Sequence, residues 1–304
     1  MTQHRSLSNH GEVLAPPSHV PTPNSACMTR ADLLGWHGNF AVEVGGFALG
    51  VRTNSAEMLA WLESTLAQVH RPDINEPPAN FSLRRATQSQ GLVIRSKHEL
   101  FQNCQVIFAS LSLRRCAEVL AAWLHSFELA ARTDLLALNA VTAVKDGLAT
   151  VVPRQLRPRL LTERSRLQAN GIYLLDCPIA LVDPARGMVV VDDAPAWVNA
   201  AALARGDALE DPRGRSIERP CPSGSYPLAS LGTYAVAKSD VAPVSRASVV
   251  SALASVTENR ATLGPQSTLE LLVQLTRTVP LRPAVSATNR ACAELPNLLT
   301  SGAA

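Results

Sequence analysis

Between Asn139 and Asp193 the chain alternates short apolar segments with turn signals so regularly that few architectures accommodate it. Ala140-Val141-Thr142-Ala143-Val144 is a short strand closed by a Lys145-Asp146-Gly147 turn, and Leu148-Ala149-Thr150-Val151-Val152 is a second strand. Leu160, Leu161, Arg164 and Leu167 then recur at helical spacing, and Asn170-Gly171 ends that pattern as a C-cap pair does. Ile172-Tyr173-Leu174-Leu175 reads as a buried strand. Ile179-Ala180-Leu181-Val182-Asp183-Pro184 reads as another, turning at Ala185-Arg186-Gly187 into Met188-Val189-Val190-Val191. Strand, turn, strand, helix, strand specifies an α/β core.

Laid from Asp146-Gly147 at the front to Asn170-Gly171 and Asp183-Pro184 at the back, this segment resembles, without a gap, the C-terminal domain of the HPr-kinase-like family. In that family a strand, an Asp-Gly turn and a second strand lead into a Walker A loop and helix. The G-x-x-x-x-G-K-[ST] loop would fall on Arg154-Gln155-Leu156-Arg157-Pro158-Arg159-Leu160-Leu161. Glycines let backbone N–H groups wrap phosphates, the lysine pairs β/γ oxygens, and the hydroxyl ligates magnesium. Here Arg154 and Arg159 stand for the defining glycines, Leu160 for the lysine and Leu161 for the hydroxyl. Asp176 is the one carboxylate near the family's acidic pair, and Asn139 stands where the family usually has a histidine. The resemblance thus implies a degenerate nucleotide site at Arg154, Arg159, Leu160, Leu161 and Asp176, with no catalytic residue and no cofactor. Leu269 to Leu275, followed by Val279-Pro280-Leu281, resembles the family's terminal helix and strand entry, and Phe40 to Val69 resembles its first domain.

At 304 residues the chain is long enough for two domains, and its apolar fraction of 46% is that of a globular protein. The net charge of +3 and the scarcity of aromatic residues argue against a nucleic-acid partner. Cys27, Cys104, Cys116, Cys177, Cys221 and Cys292 form no C-x-x-C pair, so neither a zinc knuckle nor a disulfide framework is expected, and no metal. No apolar run approaches the roughly 18 residues that span a bilayer, and the N-terminus lacks an apolar signal core. A cytoplasmic location with no membrane partner is the expectation.

Residues 1–30, rich in Ser, Pro, His and Asn, read as a disordered tail, in which His4, His10 and His19 are too loosely spaced for a metal site. An α+β domain is expected over 35–133 and the degenerate HPr-kinase-like α/β domain over 134–300. The first begins with a hairpin, Phe40, Val42 and Val44 alternating before Gly45-Gly46 and Phe47, Leu49 and Val51 after it. A helix capped by Asn54 follows, with Glu57 at the capping-box position. Strands are expected at Phe81-Ser82-Leu83, Leu92-Val93-Ile94 and Gln105 to Phe108, then a long helix from about Ser112 to Arg132 with Trp123 inside; Trp61 is likewise expected in the core. Further helices are expected over Ser248 to Val256 and Thr268 to Thr278.

Two surfaces suit a peptide. Arg154, Arg157, Arg159, Arg164 and Arg166, opposed by Glu163, could pair bidentately with carboxylates of an acidic peptide, or could simply be a solvated helix face. The Phe40 to Thr53 hairpin, with Val42, Val44, Phe47 and Leu49, could accept an extended peptide as an added strand, though most such edges are covered. Cys177 lacks a nearby base or cation for a thiolate, and Asp176, Asp183, Asp192 and Asp193 suit turns better than a metal site. A Ser-His-Asp site would have to recruit His37, His70, His98 or His125, none beside a nucleophile elbow.

Degenerate members of the HPr-kinase-like group are similar to proteins found with ribosomally made peptide natural products, where a non-catalytic component presents the precursor's leader to tailoring enzymes. The chain most resembles the recognition family of daptide-type pathways. That resemblance implies a precursor peptide as ligand and a dehydrogenase, an aminotransferase and a methyltransferase as partners. The alternatives are an atypical HPr-kinase-like phosphotransferase and an activating subunit of a tailoring oxidoreductase.

Overall fold

The computed structural model describes residues 25–75, 79–86, 97–209, 219–235 and 245–286. The chain divides into two compact units, Met1–Phe127 with Ala194–Ile217, and Glu128–Asp193 with Glu218–Ala304. Each mixes strands and helices, which places the protein in the general α/β class. Among the described residues no helix is long and apolar enough to cross a membrane.

In the first unit, β1 (Gly38–Val44) and β2 (Phe47–Thr53) form the expected antiparallel hairpin. Its turn residues Gly45 and Gly46 have φ of +60° and +80°, the conformation a two-residue primed turn demands. The sheet continues through β3 (Phe81–Arg84), parallel to β2, then β4 (His98–Gln102) and β5 (Gln105–Ser110), in the order β1-β2-β3-β4-β5. The strand expected at Leu92 to Ile94 lies outside the described residues. α2 (Ala56–Thr65) and α3 (Leu113–Leu129) supply Met58, Leu62, Leu120, Leu124 and Phe127 to a core that also holds Val42, Val51, Leu83 and Leu100. Trp61 and Trp123 are buried there, as expected.

Two local expectations are corrected. Ser55, not Asn54, caps α2, its hydroxyl accepting from the Met58 N–H at 3.4 Å. Asn54 instead brackets the backbone of Arg85, accepting from its N–H at 2.8 Å and donating to its carbonyl at 3.1 Å. Within the stretch expected to be a tail, α1 (Ser25–Asp32) is helical.

Residues 194–217 belong to the first unit although they follow much of the second in sequence. α6 (Ala200–Ala204), capped by Asn199, presents the Ala202 carbonyl to the Trp61 indole N–H at 2.8 Å. Gly206 then passes so close that a Cβ there would fall 2.4 Å from a Trp61 ring carbon, so only glycine fits.

His98 adds a pH dependence to this unit. Its residue is 9% exposed and its Nδ1 accepts from the Ala86 N–H at 3.1 Å, which requires the unprotonated ring nitrogen. Burial, reinforced by the Arg85 charge, lowers its pKa from 6.5 to about 4. An unfolded imidazole takes up a proton more readily, so this stability is complete above pH 6.5 and is lost as pH falls toward about 4. The urea midpoint of the first unit is therefore expected to fall between pH 7.5 and pH 5, and His98→Asn, which keeps an acceptor for Ala86, is expected to flatten that slope. An equally steep slope in the variant would assign the effect elsewhere.

The second unit is built on β6 (Leu136–Lys145) and β7 (Leu148–Pro153), joined at Asp146 and Gly147 with φ of +49° and +78°. The other strands are β8 (Tyr173–Leu174), β9 (Ile179–Asp183), β10 (Met188–Val191), β11 (Gly224–Ala235) and β12 (Leu281–Ser286). The first half of β6 pairs with β9 and its second half with β7 and β8. The start of β11 pairs with β10 and its continuation with β7 and β12, so the path β6-β9-β10-β11-β7 returns to β6.

Alternation along β6 divides the packing. Val141 and Ala143 face Leu156, Leu160 and Leu167 of the segment containing α4 (Arg157–Thr162) and α5 (Arg164–Ala169). Leu136, Leu138, Ala140 and Val144 join Val249 of α7 (Arg246–Val256) and Leu272 and Leu275 of α9 (Pro265–Thr278). The single helix expected around Leu160 to Leu167 is two short helices meeting at Glu163, and Gly171 ends the second with φ of +74°. Between α7 and α8 (Arg260–Leu263), Thr257-Glu258-Asn259 straps the start of β6: the Glu258 N–H donates to the Ala137 carbonyl at 2.8 Å, and Leu138 bridges Thr257.

Candidate functional site

The segment equated above with a phosphate loop is not a loop. Leaving β7, Arg154–Leu156 make one 3-10 turn and continue directly into α4, which has Pro158 in its first turn and no side-chain cap. Leu160, at the lysine position, is 1% exposed in the cluster with Val141, Ala143 and Val152; Leu161 is half-buried. Apolar burial of about 2–3 kcal/mol for a leucine holds the turn in this helical form, with backbone amides pointing along the chain instead of around an anion.

The arginines divide into two groups. Arg164 is 2% exposed, and its Nη2 donates to Asp176 Oδ1 at 2.7 Å and toward the Leu174 carbonyl at 3.4 Å. Arg157 donates through Nη2 to the carbonyls of Ala140 at 3.2 Å and Cys177 at 3.1 Å, tying β6 to the turn before β9. Burial lowers the Arg157 pKa to about 10, so it stays protonated at neutral pH. Arg154 and Arg166 are exposed and Arg159 is half-buried, with Arg166 lying 3.5 Å from Glu163. At about 100° per residue a helical repeat already sets Arg157 and Arg164 on one face and Arg159 and Arg166 on another, and that division survives the break at Glu163, with Arg164 inward and Arg166 outside.

Each acidic residue weighed as a metal ligand already has a role in the structure or stands in solvent. Asp176 neutralises Arg164, and Asp183 Oδ1 accepts from the Ala185 and Arg186 N–H groups at 2.9 and 3.2 Å as a turn residue. Asp192 lies 3.3 Å from Arg132, and Asp193 is exposed. Asn139 donates to Glu258 at 2.8 Å, fastening the strap to β6. Contrary to the sequence expectation, a cation, Arg157, lies beside Cys177, yet burial outweighs it and pushes the thiol pKa up to about 12, and the sulfur accepts from the Ile179 N–H. Cys116, Cys177 and Cys221 are free thiols, whereas Cys104 is disulfide-bonded, a pairing that no C-x-x-C spacing signalled.

The hairpin surface is corrected. Val42, Val44 and Leu49 are 0%, 2% and 4% exposed and Phe47 packs against the same core, so none of them is offered to a ligand. β2 lies between β1 and β3, and the outer edge of β1 is bonded to the chain that follows α2. The Glu43 N–H donates to the Val69 carbonyl at 2.8 Å and the Arg71 N–H to the Ala41 carbonyl at 2.9 Å, with His70 bridging Val42. Arg71 also pairs with Glu43 across this edge. At the centre of β1 the Glu43 N–H and the Ala41 carbonyl are therefore already bonded within the chain.

No family model, curated protein or solved structure matches the chain.

What the arrangement can do follows from its charges. The buried cation next to Asp176 is the protein's own guanidinium, so that carboxylate is already compensated and gains little from a divalent ion. Outside, Arg154 and Arg166, with part of Arg159, present fork-shaped donors suited to carboxylates. Sequence spacing missed two members of the inner assembly, the Arg157 clamp and the Asn139–Glu258 contact. Both join residues far apart in the chain, and no local pattern signals them.

Proposed function

We propose that this protein is a non-catalytic recognition module that binds an acidic stretch of a ribosomally synthesised precursor peptide through its leader and presents the peptide to tailoring enzymes. In this reading it is a degenerate HPr-kinase-like chain of the kind associated with daptide-type pathways, with a dehydrogenase, an aminotransferase and a methyltransferase as partners. The observation that supports the reading is that the segment aligned with a phosphate loop holds fold-stabilising contacts. The 154–161 segment is a helical turn with Leu160 in the core, and Asp176 is held by Arg164 at 2.7 Å. A site that has exchanged ligand-binding groups for internal contacts no longer depends on nucleotide to be ordered, and what it still offers outward is cationic. Arg154, Arg159 and Arg166 are the residues assigned to the peptide; Arg157 and Arg164 position the fold beneath them.

The test is fluorescence anisotropy with a labelled precursor leader. Changing Arg154, Arg159 and Arg166 together to Glu is expected to weaken binding about tenfold or more and to reduce its salt dependence. Unchanged affinity in a folded variant would remove this surface from the proposal. Magnesium-dependent peptide phosphorylation would replace the proposal with the phosphotransferase alternative. Co-purification with a tailoring oxidoreductase without any leader affinity would replace it with the activating-subunit alternative.

A further inference from the structure

The first unit contains a buried cation whose contacts are incomplete. Arg52 on β2 is 7% exposed, and its guanidinium carbon lies 4.5 Å from the centroid of the Trp36 ring. Nε donates to the Ser82 hydroxyl at 2.7 Å, and Nη1 donates to Asp32 Oδ1 at 2.5 Å. Nη2 is buried with no acceptor among the described residues. A desolvated guanidinium is stabilised best by a carboxylate that engages two of its nitrogens side by side. Asp32 supplies one oxygen to one nitrogen, and its own side chain is 56% exposed.

The element carrying Asp32 joins the sheet through a glycine. α1 ends at Asp32, and Leu33, immediately after it, is 82% exposed. Gly35 has φ of +73° with open space around it, and the Trp36 indole N–H closes back onto the Ala31 carbonyl at 2.8 Å. The His37 N–H then pairs with the Thr53 carbonyl at 2.8 Å, fixing the chain to the sheet beyond that glycine. α1 is thus a strap joined to the sheet through Gly35, with Asp32 and Trp36 laid over the cation.

We propose that Arg52 and Trp36 form a carboxylate-binding site for an acidic peptide, and that α1 keeps it closed by placing its own Asp32 there. An incoming glutamate or aspartate side chain displaces Asp32, engages Nη1 and Nη2 together, and retains the aromatic ring over the guanidinium. This site lies in the first unit and is argued without the outward arginines of the second.

The experiment uses the full chain and a fluorescein-labelled peptide of alternating Glu and Gly, read by anisotropy, with hydrogen exchange over residues 31–37 followed in parallel. Asp32→Asn removes the internal competitor. It is expected to bind at least about tenfold more tightly than the unaltered protein, as when a tethered ligand at high effective concentration is taken away. Protection over 31–37 is expected to fall in the same variant. The gain must vanish in Asp32→Asn combined with Arg52→Lys, which keeps the charge and loses the fork. Should that variant fail to fold, Asp32→Asn with Trp36→Ala serves the same purpose, and the gain must vanish there too. The gain must persist when Arg154, Arg159 and Arg166 are changed to Glu. No gain in Asp32→Asn, a gain that survives loss of Arg52 or Trp36, or one abolished by the second-unit substitutions overturns the proposal.

Discussion

Exchanging Arg164 for methionine is expected to lower the unfolding free energy of the second unit by about 3 kcal/mol, the low end for breaking a buried ion pair, because the Arg157 charge still acts on Asp176. The side chains of Arg164 and Asp176 are 3% and 11% exposed, so water does little to shield the carboxylate left behind. Asp176→Asn in the same background should recover much of the loss, because removing the stranded charge removes the larger part of the penalty. Urea unfolding of the single and double variants measures both quantities. A loss under about 1 kcal/mol for Arg164→Met would place the pair with exposed ion pairs. The inner arginines would then be dispensable, and the account of a site closed by its own ion pair would fail.

Asn259→Ala is expected to cost about 3 kcal/mol, because it strands buried backbone groups at about 1–3 kcal/mol each. Asn259 is 0% exposed; its Oδ1 accepts from the Ala137 N–H at 3.1 Å, and its Nδ2 donates to the Arg132 and Leu135 carbonyls at 2.6 Å. The chemistry of the amide makes a sharper forecast than its size. Asn259→Asp, nearly identical in shape, has no donor for the two carbonyls and places a negative charge against them. It should destabilise more than alanine does. Chemical unfolding of both variants decides this. An aspartate variant as stable as the parent would mean that the strap is held by its backbone contacts alone.

The local features of the fold were legible in the sequence because their determinants are local. Gly45-Gly46 and Asp146-Gly147 predict primed turns from residue types that tolerate positive φ, and all four residues adopt it. Gly171 predicts a helix end and makes one. The apolar stripe of α3 predicts the burial of Trp123 and Phe127. What periodicity could not show is where a chain folds back on itself. Nothing in Val69-His70-Arg71 announces that it seals the outer edge of β1, and so the hairpin read as available. Asn54 and Ser55 are both good caps in sequence, and the choice between them was made by Arg85, about thirty residues away. The return of 194–217 to the first unit depends on a glycine fitting against Trp61, a match of shapes across 145 positions.

The same distinction governs the candidate site. That the 154–161 segment lacks phosphate-binding residue types is visible in the letters; that Leu160 is buried there is seen only in the fold. Which acceptors hold the inward arginines was not visible. A helical wheel at about 100° per residue separates Arg157 and Arg164 from Arg159 and Arg166, but it does not show that the carbonyls of Ala140, Leu174 and Cys177 receive the first two. Side-chain fate here depends on acceptors contributed by distant strands, and a single-sequence pattern carries no record of them.

The most direct measurement is a calorimetric titration of the protein in parallel with magnesium-ATP and with the acidic leader peptide of the proposal. The account predicts leader binding with a Kd near micromolar, about 8 kcal/mol, and no heat from nucleotide. Saturable nucleotide binding with no response to the leader would contradict it, and would mean that the turn at 154–161 opens to accept phosphate despite the burial of Leu160.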